Sequence, residues 1–169
     1  SSVYFLQITH PQGRHAPHVN AIGYPGGNNV CWYLQRNNFP DEYRILCGNC
    51  LRGEGSFGFC PHTGSDLRPM TRSMRQRWDL RYDIIRAYGS LCACCGETCQ
   101  YFLEVDHPDR NGGQHRKALG ITAGQNFYRY LKREGFPQHY RLLCSNCNTC
   151  RGWYGFCPHQ EMPPAQWEL

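Results

Sequence analysis

The feature that most constrains the fold of this chain is an internal repeat. Residues 4–62 align with residues 101–159 at a constant offset of 97 positions and without a gap, and 27 of the 59 aligned pairs are identical. The matching segments include YFL, HP, C-x-N-C and GFCPH. Self-similarity over this length indicates a duplicated structural unit. We therefore expect two similar modules that pack against each other.

The cysteine spacing indicates metal ligands rather than a disulfide framework. The segments CGNC at 47–50, CACC at 92–95 and CSNC at 144–147 each place two thiols three residues apart. Two sulfurs at this spacing can reach one tetrahedral zinc ion. The pattern therefore predicts structural zinc and an intracellular, reducing compartment. Oxidation stays open for the cysteines outside the simplest scheme, which are Cys31, Cys94, Cys99 and Cys150.

The two repeats offer different sets of zinc ligands. In the second repeat the simplest closed site consists of Cys92, Cys95, Cys144 and Cys147. In the first repeat the counterpart of Cys92 would lie ahead of Ser1, so other partners must complete the site. The predicted first-repeat ligands are Cys47, Cys50, Cys60 and His62. Cys157 and His159 are candidates for an additional zinc, for replacing one pair, or for stabilising a turn, and the spacing leaves these alternatives open.

A basic segment, residues 68–90, lies between the repeats. Its pattern predicts a helix from about Thr71 to Tyr88. The residues of its apolar stripe are Trp78, Tyr82, Ile84 and Ile85. Such a helix presents either a solvated face or a phosphate-binding surface. The predicted nucleic-acid-binding residues are Arg72, Arg75, Arg77, Arg81 and Arg86, together with Arg116 and Lys117 of the second repeat.

The coarse structure of the second repeat follows from its apolar and turn-forming residues. FLEVDHP predicts a short strand that ends at Pro108, NGGQ at 111–114 predicts a turn, and a helix is expected from about Asn126 to Glu134. YRLLCSN predicts a second strand, followed by a short helix or turn. Units this small need metal because they cannot bury a sufficient core.

The predicted fold class is α+β, with two small zinc-stabilised modules joined by the basic helix. The predicted boundaries are a first repeat at 1–67, a helical linker at 68–90, a second repeat at 91–160 and a tail at 161–169. No run of about 20 apolar residues is present, so no membrane span or membrane partner is predicted.

Residues 88–159 resemble the HNH endonucleases of the ββα-metal, or His-Me finger, type, particularly small phage and mobile-element members. The resemblance is carried by YGSLCACCGE, FLEVDHPDRNGGQHR, FYRYLKREGFP, YRLLCSNCN and GFCPH. It implies that His107 is the general base, that Asp106 binds the catalytic divalent ion, and that Asn148 occupies the last metal-binding position. The middle Asn of the family pattern is not evident, and His139 stands near its place.

The chemistry of these residue types agrees with what the resemblance implies. Histidine titrates near neutrality and can accept a proton from water. Carboxylate and amide oxygens suit magnesium or manganese, whereas thiolates select zinc. His115 is interpreted either as a contact to phosphate or to the metal loop, or as a surface histidine. The first repeat keeps His10 but has Thr9 and Leu51 at the metal-binding positions. We therefore expect the first repeat to be inactive.

The expected function is hydrolysis of nucleic-acid phosphodiesters, with DNA favoured over RNA. One alternative is a catalytically silent, domesticated HNH-like zinc protein that serves as a nucleic-acid-binding subunit of a ribonucleoprotein, such as an organellar ribosome. Another is the nuclease domain of a larger effector. Nucleic acid is the expected partner in each case, with a larger nucleoprotein assembly under the first alternative.

Overall fold

A computed structural model describes residues 2–10, 28–64, 71–109, 111–122 and 124–160. This part of the chain is mixed α+β, with six α-helices and two antiparallel two-stranded sheets. The strands are β1 (Leu6–Thr9), β2 (Arg44–Cys47), β3 (Leu103–Asp106) and β4 (Arg141–Cys144). The helices are α1 (Asn28–Arg36), α2 (Gly48–Phe57), α3 (Arg72–Ala87), α4 (Gly112–Ala118), α5 (Gln125–Arg133) and α6 (Ser145–Tyr154), and a 3-10 helix, Val3–Phe5, precedes β1.

The two repeats share their strand register. Leu6 pairs with Cys47 and Thr9 with Arg44 in the first sheet. Leu103 pairs with Cys144 and Asp106 with Arg141 in the second. Each second strand leads directly into a helix, α2 or α6, that carries the second cysteine of its knuckle. The predicted strands are thus confirmed, and of the two alternatives expected after the knuckle, a short helix or a turn, the structure has the helix.

The repeats pack against each other about an approximate two-fold axis. The Asn49 backbone N–H donates to Asn146 Oδ1 at 3.0 Å, and the Asn146 N–H donates to Asn49 Oδ1 at 2.9 Å. Since these asparagines are repeat equivalents, the two bonds are symmetry mates of one contact. These bonds join the two repeats directly.

Aromatic residues of each repeat contact rings of the other repeat across the same axis. Phe5 stacks on His159 of the second repeat at 4.8 Å between ring centroids, and Phe102 lies 4.9 Å from His62 of the first. Tyr4 makes an edge contact with Phe156, and its equivalent Tyr101 makes the same kind of contact with Phe59. Each repeat therefore covers part of the metal-ligand region of the other.

Helix α3 occupies the predicted position but is more than a linker. Thr71 caps it by accepting a hydrogen bond from Met74 N at 3.2 Å, and the helix ends before Tyr88. Ile84 and Ile85 are buried, and α3 packs against α5 and β3 of the second repeat. The predicted stripe is corrected in one respect, because Tyr82 is exposed. Helix α3 is thus part of the second-repeat core.

Arg81 is not available to a nucleic acid. Its side chain is only 5% exposed, and burial lowers the pKa of its guanidinium. The guanidinium donates to the backbone oxygens of Gln100 and Leu103 and to the Tyr128 hydroxyl. Buried charges need such partners. Its assignment to a surface phosphate site is therefore wrong.

The predicted turn at 111–114 is a helix from Gly112 onward. Asn111 precedes α4, whose last turn carries His115, Arg116 and Lys117. Glycine lowers helix propensity, and here tertiary contacts outweigh that cost. The other predicted helix of this repeat is confirmed within one residue as α5, Gln125–Arg133.

None of the helices in the described ranges is both long and apolar enough to cross a bilayer. The proposed boundary near residue 67 and the tail at 161–169 lie outside the described residues.

Candidate active site and metal centres

The three residues predicted for catalysis line one cleft. The cleft has a volume of about 370 Å³, and Asp106, His107 and Asn148 all contribute to its wall. Asp106 ends β3 and His107 follows it, while Asn148 lies in the first turn of α6. Asp106 lies opposite Arg141 at the start of β4, and α6, which follows β4, packs against β3 so that Asn148 lines the same cleft. This arrangement brings together residues that are some 40 positions apart in sequence.

His107 is held by contacts on several sides. Its side chain is 8% exposed and its ring stacks on Phe127 at 5.2 Å. His107 Nε2 lies 3.2 Å from His115 Nδ1, which also lies 3.1 Å from the Tyr140 hydroxyl. Burial, then the neighbouring His115 and Arg116, lower the pKa of His107. The ring is therefore neutral at physiological pH and able to accept a proton.

The contact with His115 assigns different roles to the two nitrogens of His107. Burial raises the pKa of Tyr140, so its phenol stays protonated and can donate to His115 Nδ1. The 3.2 Å contact with His115 occupies His107 Nε2 and leaves His107 Nδ1 for another partner. His115 is thus a positioning residue for His107 rather than a surface histidine.

Gly112 allows the backbone of α4 to approach His107 closely. A Cβ atom at this position would lie 2.7 Å from His107 Nδ1, which is shorter than real Cβ contacts. It would also lie 3.2 Å from the Arg116 guanidinium. The glycine in NGGQ is therefore required by a tertiary contact and not by a turn.

Asp106 and Asn148 are both tied to neighbouring side chains. Arg141 Nε donates to Asp106 Oδ2 at 2.8 Å. Asn148 Nδ2 donates to Glu104 Oε2 at 2.9 Å, which leaves the amide oxygen of Asn148 for another partner. Glu104 also accepts from Ser145 Oγ at 2.8 Å and pairs with Arg52 of the first repeat at 3.1 Å. Sequence patterns gave no signal for Glu104, since its partners come from two separate segments, one in each repeat.

Two side chains of the cleft offer oxygen atoms of the kind that bind metal ions. Asp106 supplies a carboxylate and Asn148 an amide oxygen on the wall of one cleft. Magnesium and manganese prefer oxygen ligands of this kind. Arg141 shares the Asp106 carboxylate, so an ion bound there would face a neighbouring cation.

The predicted basic residues fall into two groups. Arg116 lines the cleft together with Arg141 and Arg151, and neighbouring Lys117 is exposed. Among the arginines of α3, Arg72, Arg75, Arg77 and Arg86 are exposed, and none of them lines the cleft. The cleft therefore has its own set of cations, separate from the α3 surface.

The first repeat has a corresponding cleft with different chemistry. This cleft has a volume of about 360 Å³ and is lined by Thr9 and Leu51, the equivalents of Asp106 and Asn148. Its lining residues include Glu104, which comes from the second repeat. Arg44, the equivalent of Arg141, pairs instead with Glu54 at 2.6 Å. The paired ligands of the second-repeat cleft therefore have no counterpart here.

The cysteines and histidines of the second repeat form two groups that could hold a metal such as zinc. The predicted set Cys92, Cys95, Cys144 and Cys147 is brought together, with all ligand atoms within 4.8 Å of one another. A second group within the same limit consists of Cys94, Cys147, Cys157 and His159. Hydrogen bonds from the Cys144 and Cys147 thiols lower the pKa of Cys92. Cys94, which the simplest scheme left without a role, is thus a candidate ligand.

The first repeat has one such group among its described residues. The ligand atoms of Cys50, Cys60 and His62 lie within 4.8 Å of one another. Cys47 Sγ lies 3.5 Å from Cys50 Sγ, close enough to supply a fourth ligand. Burial raises the pKa of Cys50, so metal binding there must displace a proton. Three of the four predicted ligands are therefore grouped, and Cys47 lies beside one of them.

Comparison of the chain with protein-family models, curated proteins and solved structures gives no match. The likeness to HNH endonucleases therefore remains a prediction from the chain's own residues.

Proposed function

We propose that the chain is a metal-dependent endonuclease of the HNH type that hydrolyses nucleic-acid phosphodiesters, with DNA favoured over RNA. The observation that carries this proposal is the meeting of Asp106, His107 and Asn148 on the wall of one cleft. An acceptor for a proton, two hard oxygen ligands and surrounding cations are the groups that phosphodiester hydrolysis needs.

In this proposal His107 is the general base. Its lowered pKa keeps the ring neutral, so His107 Nδ1 can take a proton from the attacking water. His115 and Phe127 fix the plane of the ring by a contact at Nε2 and by stacking. A base held in one orientation loses less freedom when the reaction occurs.

Asp106 and Asn148 are the proposed ligands of a magnesium or manganese ion. Such an ion, when bound, neutralises charge on the phosphate and on the leaving oxygen. Glu104 accepts a hydrogen bond from the Asn148 amide nitrogen, which directs the amide oxygen away from Glu104. Support of a ligand by a second layer of hydrogen bonds commonly raises metal affinity.

The cleft arginines are suited to bind the phosphate backbone. Arg116, Arg141 and Arg151 place three guanidinium groups around the proposed base and ligands. Guanidinium groups bind phosphate oxygens in a bidentate manner. The exposed arginines of α3 would extend the basic surface outside the cleft, and Arg81 would not contribute.

The first repeat is the proposed scaffold. Thr9 and Leu51, at the positions of Asp106 and Asn148, offer no charged metal ligand. Its contribution is structural, through the Asn49–Asn146 contact and through Arg52, which pairs with Glu104.

The Arg141–Asp106 ion pair favours a second candidate function. A carboxylate that is 15% exposed and already paired with arginine needs no metal to balance its charge. This is what a retired site, kept as a structural nucleic-acid-binding subunit, would show. Such a protein would bind nucleic acid through the same arginines without cutting it.

Cleavage of supercoiled plasmid by the full chain distinguishes the two candidates. We expect nicking in magnesium or manganese, its loss with a chelator, and a fall in rate of about 10²- to 10⁴-fold in His107→Ala, the usual contribution of a general base. The matched control is His10→Ala, which should cut like the parent chain. If neither parent nor variant cuts but both bind nucleic acid, the endonuclease proposal fails and the binding subunit is favoured.

An RNA substrate of matched sequence tests the preference for DNA. Equal or faster cleavage of that RNA would contradict the preference while leaving the hydrolytic activity in place.

A further inference from the structure

The second repeat contains more metal ligands than one zinc ion can use. Seven side chains lie in the two groups described above, six cysteines and one histidine. A structural zinc ion takes four ligands in a tetrahedron. A single ion at Cys92, Cys95, Cys144 and Cys147 would leave Cys94, Cys157 and His159 without a cation.

Cys147 belongs to both groups. Its Sγ atom lies 3.5 Å from Cys144 Sγ in the first group and 3.2 Å from His159 Nδ1 in the second. Two sulfurs bound to one zinc ion with Zn–S bonds of about 2.3 Å lie about 3.8 Å apart. The separations on both sides of Cys147 are therefore close to those of a filled site.

We propose that the second repeat binds two zinc ions that share the Cys147 thiolate. One ion has the ligands Cys92, Cys95, Cys144 and Cys147, and the other has Cys94, Cys147, Cys157 and His159. Two tetrahedra with one common corner require seven ligands, and all seven are used. This goes beyond the proposed nuclease function, because it assigns a role to Cys94 and a second metal to the repeat.

The first repeat supports the second zinc position independently. Cys50 Sγ lies 3.2 Å from His62 Nδ1 and Cys60 Sγ lies 3.6 Å from it. The equivalent distances from Cys147 and Cys157 to His159 Nδ1 are also 3.2 and 3.6 Å. The fold therefore builds this part of the site twice, and in the first repeat it does so without a Cys92–Cys95 knuckle.

Charge near Cys94 also fits a binuclear centre. Six thiolates exceed the charge of two zinc ions, so the centre is anionic by about two units if the histidine is neutral. Arg151 lies close enough to Cys94 to interact with its thiol, which places a cation beside the centre. The first-repeat equivalent of Arg151 is Glu54. In that repeat only one group of metal ligands is found among the described residues. Binding of both ions displaces to solvent the protons that these thiols still carry.

Counting zinc by native mass spectrometry tests the number of ions. A full-length Cys60→Ser chain, whose first-repeat site lacks a ligand, should retain two zinc ions. Adding Cys94→Ser should leave one ion, whereas the matched control Cys99→Ser should leave two, because Cys99 is in neither group. A single zinc ion in Cys60→Ser would overturn the proposal.

Cadmium NMR of the parent chain tests the shared thiolate without any substitution. With ¹¹³Cd in place of zinc we expect three resonances, one from a four-thiolate site and two from sites with three thiolates and one imidazole. The four-thiolate resonance should show a scalar coupling to one of the other two, transmitted through Cys147 Sγ. Three uncoupled resonances, or only two resonances, would overturn the proposal. Neither measurement depends on nuclease activity, so failure of one proposal is distinguishable from failure of the other.

Discussion

The two repeats have the same strand register and the same metal-ligand spacing, but they differ in how much apolar surface they bury. Leu142 in β4 is 1% exposed, whereas its equivalent Ile45 in β2 is 63% exposed. Leu103 is fully buried, whereas its equivalent Leu6 is exposed. Helix α3 accounts for part of this difference, because it packs against β3 and α5 of the second repeat.

The difference shows that one sequence pattern can be stabilised in two ways. The second repeat has a core around Ile84, Phe127, Leu131 and Tyr140 that involves no residue of the first. Buried apolar residues of the first repeat are few among those described: Phe5, Leu34 and Cys60. Small units of this kind depend on metal for their folding. We therefore expect the first repeat to depend on zinc more strongly than the second.

Removal of zinc should give the largest effect and should separate the repeats. A strong chelator should abolish hydrogen-exchange protection of β1 and β2 before that of β3 and β4. Structural zinc in small domains contributes an apparent free energy of about 10–16 kcal/mol. Readdition of zinc, but not of magnesium, should restore protection. Simultaneous loss of protection in both sheets would contradict the proposed difference in metal dependence.

A methyl group at Gly112 should displace His107 in the second-repeat cleft, whereas a methyl group at the neighbouring Gly113 should not. Gly112→Ala places a Cβ 2.7 Å from His107 Nδ1 and should displace the ring. A displacement of about 1 Å can slow an enzyme about 10²-fold, so plasmid nicking should slow by one to two orders of magnitude. Gly113→Ala is the matched control, since a Cβ there meets nothing within 4 Å. Equal rates in the two variants would contradict the close approach.

Both hydrogen bonds of the reciprocal contact between Asn49 and Asn146 should contribute to stability. Asn146→Ala removes the acceptor of the Asn49 N–H, and Asn49→Ala removes that of the Asn146 N–H. An unsatisfied buried donor costs about 1–3 kcal/mol, and each variant should lower the free energy of unfolding by that order. Urea denaturation measures the change, with exposed Gln35→Ala as a neutral control. A large loss of stability in one asparagine variant and none in the other would contradict an equal contribution of the two hydrogen bonds.

The pH dependence of cleavage should report on His107 alone. Its pKa lies below the ordinary histidine value of about 6.5, so the neutral base persists to lower pH and the rate should fall only below that value. Each pH unit below the His107 pKa should cost about tenfold. The same shift means that the unfolded chain binds more protons near this pH, so stability also decreases as the pH falls through this range. An unchanged acid limb in His107→Ala would assign it to another group.

Local signals in the sequence predicted much of the fold. Thr71 and Tyr88 mark the ends of α3 because capping and periodicity involve neighbouring residues. The strands and α5 were predicted for the same reason. The prediction of a turn at 111–114 was wrong. The glycine there is required by the close approach of Gly112 to His107, which is a tertiary contact that local sequence does not reveal.

The candidate site was only partly predictable. The spacing of Asp106 and His107 and the knuckle before Asn148 pointed to the residues of the cleft, but nothing in the spacing placed Glu104 or Tyr140 beside them. Arginine is usually a surface residue. The burial of Arg81 depends on hydrogen bonds to carbonyl groups about 20 positions away in sequence. The periodicity of apolar residues describes one segment of the chain at a time. The contacts of these side chains join several segments, so periodicity could not predict them.

The approximate two-fold axis through Asn49 and Asn146 makes the chain a fused dimer. Its halves meet at an effective concentration set by the connecting segment rather than by the amount of protein in solution. An ordinary dimer dissociates on dilution, and its thermal midpoint then falls with concentration. The midpoint of this chain should not change with concentration, so the half that lacks counterparts of Asp106 and Asn148 stays beside its partner at every dilution.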